Sequence, residues 1–250
     1  MVVPPKSALH RLLRVAEEPG PLVILPHDNP DPDALASAAA LRFLVHQARE
    51  EKEIVIALGG IVGRAENRAM LRYLNIDLIP IGEIDLTAPG QIALVDTQPG
   101  RSNNSLPEQV TPTIVIDHHP AYGTYEGVSF LDLRDEYGAT STILTEYLEE
   151  THVDVESKIA TALFYGINAE TQDLGREATP KDVRRVSSSI RTRTSVACPR
   201  SRTLVCRVST SKSSVTRSKV RYCMTKSSFR CCARCSIPTW LPRSPIFCCA

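Results

Sequence analysis

Residues 183–250 of this chain contain no Asp or Glu: all 28 acidic residues lie at or before Asp182. The first part, in turn, has no cysteine, since all eight fall between Cys198 and Cys249. That excludes disulfides and thiolate metal sites from residues 1–182. No apolar run approaches the roughly 20 residues that a membrane-spanning helix needs. The longest candidate, ALASAAALRFLVH, is short and holds Arg42. The N-terminal MVVPPKSALHRLLRVAEEPG lacks the basic-then-apolar order of an export signal and carries Glu17 and Glu18. The expectation is a cytoplasmic protein with no membrane partner.

The net charge of +1 hides an asymmetry. Through Asp182, 14 Lys and Arg face 28 acids, a balance of −14; beyond it, 15 Lys and Arg stand alone, a balance of +15. The chain reads as two texts joined near residue 183. We therefore divide it into a domain at 1–183 and a tail at 184–250.

The first text alternates strand-like and helix-like segments. PLVILP (21–26), EIVIAL (53–58), QIALVD (91–96) and TIVIDHH (113–119) are short apolar runs of strand length, and VSFLDL (128–133) reads as an edge strand. Residues 34–50 read as a helix capped by Asp33, followed by helices at 64–74, 138–150 and 155–170. This alternation predicts an α/β fold: a parallel sheet with helices on both faces. In such sheets ligands sit at the carboxyl ends of the strands.

Three apolar runs end directly in chemistry. PLVILP runs into His27, with Asp31 and Asp33 just beyond; QIALV runs into Asp96; TIVI runs into Asp117, His118 and His119. Each residue alone has an ordinary role, as a satisfied strand-end histidine, a helix cap or a turn aspartate. Together, on neighbouring strands, they converge. Clustered carboxylates repel and are costly to desolvate, and a divalent cation offsets that cost. Histidine and several carboxylates without thiolate suit Mn²⁺ or Mg²⁺ better than structural zinc. So many carboxylates suggest two ions sharing one aspartate.

At these positions the chain resembles the DHH phosphoesterases. HDNPDPDALAS (27–37), VDTQPG (95–100), IDHHP (116–120), and GATSTILTEYL followed by YGINAETQDLGREAT are similar to the family's successive motifs. The resemblance spans about residues 15–183. It implies a Rossmann-like domain, two Mn²⁺ ions, with Mg²⁺ or Co²⁺ as alternatives, and a bridging hydroxide that attacks phosphorus. Carried over, His27 and Asp31 would hold one ion, Asp33 and His118 the other, and Asp96 would bridge. His119 would contact the scissile phosphate or assist the leaving group, and Asp117 would orient the histidine pair. The family's last carboxylate ligand is an Asp; Glu170 stands at the matching position here, with Asp173 as a nearby substitute. Arg176 reads either as a phosphate contact or as an exposed structural arginine.

The resemblance implies a Mn-dependent phosphoesterase acting on short single-stranded oligonucleotides or nucleotide phosphates, in the manner of an oligoribonuclease or adenosine bisphosphate phosphatase. A homodimer is a further expectation. Two alternatives stay open: a pyrophosphatase or cyclic-dinucleotide phosphodiesterase of the same family, or an inactive metal-binding domain with a nucleic-acid-binding tail.

The tail, rich in Arg, Ser, Thr and Cys, shows no hydrophobic period and is expected to be poorly structured. It reads as a basic nucleic-acid arm, as a metal knuckle around Cys232 and Cys235, or as out-of-frame translation; we favour the last. Shifted by one base, codons for WLPRSPIFCC (240–249) can read MVAEIADFLL, and the shift is placed between 183 and 190. The shifted text resembles the linker and C-terminal substrate domain of the family. The chain as written, lacking that domain, is expected to be weakly active or inactive.

Overall fold

The computed structural model describes residues 7–88 and 90–185, together with the backbone of 221–225 and 228–232. The apolar runs pair as one parallel sheet. Strand β1 (Leu22–Pro26) lies between β2 (Ile54–Leu58) and β4 (Gln91–Val95). Outside β2 lies β3 (Leu78–Pro80). Outside β4 follow β5 (Ile114–Asp117) and the edge strand β6 (Phe130–Leu133). The order β3-β2-β1-β4-β5-β6 reverses direction at β1. Such a reversal opens a crevice at the carboxyl ends of the two strands that flank it. Those ends carry His27 and Asp96.

Strand residues alternate between two cores. One face presents Leu22, Ile24, Ile56, Ala93, Val95, Ile114 and Ile116. It is covered by five helices: α1 (Ala8–Ala16), α2 (Pro32–Ala48), α3 (Ala65–Leu74), α4 (Thr140–Thr151) and α5 (Ser157–Glu170). The other face presents Val23, Leu25, Ala57, Ile92, Leu94 and Val115. Its cover, among the described residues, is the short 3₁₀ helix Ile81–Glu83 and loop residues including Leu86, Leu106 and Val110. Among the described residues, helical cover is thus five α-helices on one side and a single 3₁₀ turn on the other. Right-handed crossovers explain the split. Once the order reverses at β1, the β4–β5 and β5–β6 connections pass over the second face, and these segments carry no helical period.

Helix α2 is the centre of the helical layer. Its run ALASAAA is buried on almost every side. Small side chains let α4 and α5 approach closely, and a Cβ on Gly166 of α5 would lie only 3.1 Å from Ala36 Cβ. One expectation is corrected here. The cap of α2 is Asp31, whose Oδ1 accepts from Ala34 N at 3.0 Å; Pro32 occupies the first turn, and Asp33 lies inside the helix. Proline is favoured at a first helical position because its missing N–H would be unsatisfied there anyway.

A further helical segment covers residues 180–185. Thr179 and Asp182 cap it reciprocally, with Thr179 N donating to Asp182 Oδ2 at 2.7 Å and Asp182 N to Thr179 Oγ1 at 3.4 Å. The chain divides into two units, Met1–Val196 and Ala197–Ala250. In the second, β7 (Arg221–Thr225) and β8 (Ser228–Cys232) pair antiparallel. The remaining expectations for the tail lie outside the described residues. No helix among the described residues is long and apolar enough to cross a membrane.

Candidate metal centre

Asp96 follows β4 in a left-handed backbone conformation, φ 60°. Asp and Asn tolerate this region better than most side chains, at a cost of about 1–2 kcal/mol. The turn ends the strand and holds an almost fully buried carboxylate. His27 Nε2 lies 3.8 Å from its Oδ2, and His118 Nε2 lies 3.6 Å from its Oδ1. Both separations are too long for hydrogen bonds. The cluster resolves into two groups of mutually close ligand atoms that share Asp96: His27, Asp31 and Asp96, and Asp96, Asp117, His118 and His119.

The tautomer of His118 follows from its partner. Its Nδ1 sits 3.2 Å from the Tyr137 carbonyl, which can only accept, so the ring proton resides on Nδ1. Nε2 therefore carries a lone pair, and this buried atom has no hydrogen-bond partner. A histidine held through one nitrogen with the other left bare is the arrangement that metal-ligating histidines adopt.

His119 is arranged differently. Its Nδ1 lies 2.8 Å from Asp117 Oδ1, and its backbone N donates to the same oxygen at 3.2 Å. That hydrogen bond raises the His119 pKa, ahead of the opposing effect of burial. Burial pushes Asp117 up, but the bonds from His119 and Gln98 outweigh it and hold the carboxyl below its ordinary range. Both Asp117 oxygens are occupied by protein donors, since Gln98 Nε2 donates to Oδ2 at 2.7 Å.

The acids of the crevice repel one another. Burial, then the charges of Asp33, Asp31 and Asp117, drives the Asp96 pKa far above its ordinary value. Burial also raises Asp33, with Asp31 adding to the effect. Glu170, at the end of α5, is pushed up to about 7 by burial, by Asp31 and Asp33, and by a hydrogen bond with Asp31. Burial lowers the His27 pKa. No Lys or Arg forms an ion pair with Asp31, Asp33, Asp96 or Glu170 among the described residues. Bare imidazole nitrogens and unneutralised buried carboxylates fit a divalent cation.

Asp33 is placed apart from the two groups. Its oxygens accept the first N–H groups of α4, from Thr140 and Ser141, both at 2.8 Å, and Ser37 Oγ at 3.5 Å. Ala139, the cap residue of α4, makes no side-chain capping bond. Asp33 therefore supplies that cap from α2. Thr140 Oγ1 donates to Asp96 Oδ1 at 2.9 Å, so the N-terminus of α4 rests on two acids of the crevice. Glu170 faces the cluster. Asp173, the proposed substitute, is exposed, and its pKa is raised by burial alone, with no acidic neighbour contributing. Arg176 is exposed and pairs with Glu177 at 3.6 Å. Sequence reasoning missed Gln98 and Thr140. Both lie within quoted motifs, VDTQPG and GATST, but a neutral side chain announces no role until its partners are placed.

The profile of the DHH family, N-terminal domain, matches residues 21–167. An uncharacterized protein of Methanocaldococcus jannaschii is 42% identical over 167 residues, covering 66% of this chain and 34% of that protein. A probable manganese-dependent inorganic pyrophosphatase of Bacillus pumilus is 32% identical over 153 residues, covering 61% of this chain and 48% of that protein. One of the same description from Enterococcus faecalis is 29% identical over 151 residues, covering 60% and 48%. The chain thus spans about a third to a half of the length of these relatives. A crystal structure of an exopolyphosphatase-related protein from Bacteroides fragilis shares the fold, with a TM-score of 0.60 at 13% identity over 77% of this chain and 58% of that one. The matched residues enclose every strand of the sheet and all but one of the crevice acids, and the chain belongs to the DHH family.

Proposed function

We propose that this chain carries the metal-binding half of a Mn²⁺-dependent phosphoesterase. The observation that carries the reading is the placement of Asp96, with one oxygen toward His27 Nε2 and the other toward the unpartnered His118 Nε2. Its support from relatives is the manganese-dependent description of two of them. Two ions would be held, one by His27, Asp31 and Asp96, the other by Asp96, His118 and Asp33. Asp33 accepts three hydrogen bonds. An ionised carboxylate offers about four lone-pair sites, so one remains on Oδ2. Glu170 would complete the first set through its contact with Asp31.

Bound divalent ions neutralise charge on the phosphoryl oxygens and acidify water at neutral pH. The chain supplies the remainder. Asp117 keeps His119 oriented and favours its charged form, and the imidazolium can pass a proton to the departing oxygen. His119 is suited to this, since its side chain is 43% exposed at the rim whereas Asp96 is almost fully buried.

For substrate, we propose short oligonucleotides or nucleotide phosphates. The relatives' descriptions favour a second reading, hydrolysis of inorganic pyrophosphate, which uses the same centre. Release of nucleoside monophosphate from a dinucleotide, against release of phosphate from pyrophosphate, separates the two. Substituting Asp96→Ala abolishes Mn²⁺-dependent turnover of either; hydrolysis that survives this change refutes the assignment.

A further inference from the structure

We propose that Gln98 is a positioning residue for His119, acting through Asp117 and through the backbone of the loop after β5. The inference rests on the phosphoesterase reading for its kinetic part. Its structural part stands alone.

Gln98 is fully buried two residues after Asp96. Its amide orientation is fixed by its partners. The Nε2 end meets only acceptors: Asp117 Oδ2 at 2.7 Å and the carbonyls of His119 and Pro120, each at 3.2 Å. The Oε1 end meets an obligate donor, Tyr122 N at 2.8 Å, and the Tyr125 hydroxyl at 2.6 Å. Flipping the amide would set oxygen against three oxygens and nitrogen against an N–H. One side chain thus ties the turn after β4, which carries Asp96, to residues 117–125.

The consequence for His119 is specific. Gln98 occupies Asp117 Oδ2, which leaves Oδ1 for the two donors of His119, its backbone N and ring Nδ1. One ring proton is thereby held on Nδ1 and the ring plane is set, so that Nε2 is the nitrogen left to donate to a reacting oxygen when the ring is charged. A glutamate of the same shape cannot replace Gln98. A second oxygen would then face Asp117 Oδ2 and two carbonyls, with no proton to share unless it took one from solution.

Two variants and two readouts test this. Gln98→Glu keeps shape and reverses polarity; Gln98→Met keeps length and removes every hydrogen bond, and it carries the test if the first variant does not fold. Long-range ¹H–¹⁵N spectra of metal-free protein report the imidazole tautomers without any turnover. Wild type should show His119 protonated at Nδ1 and held, and the variants should show the His119 signals shifted toward a free, exchanging imidazole while those of His118 stay in place. With Mn²⁺ saturating, kcat for a dinucleotide, whose leaving group needs a proton, should fall about tenfold to hundredfold. An ester with a p-nitrophenolate leaving group, which needs none, should lose far less. Mn²⁺ affinity measured by titration should be unchanged, because Gln98 touches none of His27, Asp31 or His118. An unaltered His119 tautomer in both variants overturns the proposal, as does an equal loss on both substrates. If wild type hydrolyses neither substrate, the functional reading fails, and the spectra still decide the role of Gln98.

Discussion

Substituting Gly166→Ala should destabilise this protein, although the same change in most helices stabilises it. Gly166 lies inside α5, where alanine ordinarily gains about 1 kcal/mol over glycine. Here the added methyl would meet Ser141 Oγ at 2.7 Å, and Ala36 Cβ and the Pro32 carbonyl oxygen at 3.1 Å each. Ordinary contacts between such atoms lie near 3.5–4.0 Å. The neighbours cannot yield freely. Ser141 Oγ is held by Ser37 Oγ at 3.2 Å and the Asp33 carbonyl at 3.4 Å, and turning it away breaks buried hydrogen bonds. Pro32 stands between Asp31 and Asp33, so moving its carbonyl moves two acids of the crevice. Overpacking of this kind costs about 1–3 kcal/mol, and rotating the serine adds about 1 kcal/mol. Set against the gain in propensity, the net loss is about 1–3 kcal/mol, or roughly 2–12 °C in Tm for a domain of this size. Thermal unfolding followed by circular dichroism reads it directly. The double variant with Ser141→Ala removes the nearest contact and should recover part of the loss, a coupling that a double-mutant cycle isolates. A Tm equal to or above wild type for Gly166→Ala alone would refute the close approach of α5 to α2.

Adding Mn²⁺ at a hundredfold excess over its dissociation constant should stabilise the fold by about 2.7 kcal/mol, and a chelator should reverse this. Asp96→Asn should remove that response and raise the Tm of the metal-free protein, because it deletes a carboxylate whose ionisation burial opposes. The pH dependence of the metal-free protein has two limbs. Glu170, at about 7, and Asp96 are raised by burial, so the folded state binds more protons than the unfolded one, and stability rises as pH falls from about 7 toward 4.3. Burial pushes Glu146 up, but bonds from Arg134 and Tyr137 outweigh it and hold it low, so its contribution is present above about pH 4.3 and is lost as pH falls through its lowered folded value. Melting curves from pH 3 to 8 should show a maximum between the limbs, and a monotonic curve would contradict the assignment. Arg134→Ala removes paired bonds to Asp132, both at 2.8 Å, and a third to Glu146 at 2.8 Å, and should cost about 3 kcal/mol in denaturant unfolding.

How much of this was legible beforehand depended on the kind of signal. Apolar runs marked β1, β2, β4, β5 and β6, because burial on both faces demands unbroken hydrophobic stretches. Strand β3 has only three residues, too few to stand out from its loop. Helix α1 was not read, although Leu9, Leu12 and Ala16 repeat at helical spacing and are buried. His27, Asp96 and His118 were legible because each follows a strand end, and the parallel order turns strand ends into neighbours. Sequence spacing marks Asp33 as the cap of α2, whereas Asp31 caps that helix and Asp33 caps α4. Spacing along the chain shows which helix follows an aspartate, whereas the partner of Asp33 is an N-terminus 107 residues away. Gln98 and Thr140 act through neutral hydrogen bonds whose partners meet only after folding.

The crevice draws its groups from positions 27, 31, 96, 118 and 170, on segments that share no local contact before β1, β4 and β5 align. An unfolded chain offers an ion only scattered fragments, such as the His118–His119 pair or the aspartates at 31 and 33. Tight binding therefore reports that the central three strands are in register, and an ion captured during folding acts as a lock on long-range order rather than as a seed for it. Because closing such distant loops is the slow part of folding a parallel sheet, Mn²⁺ should leave the folding rate nearly unchanged and slow unfolding instead.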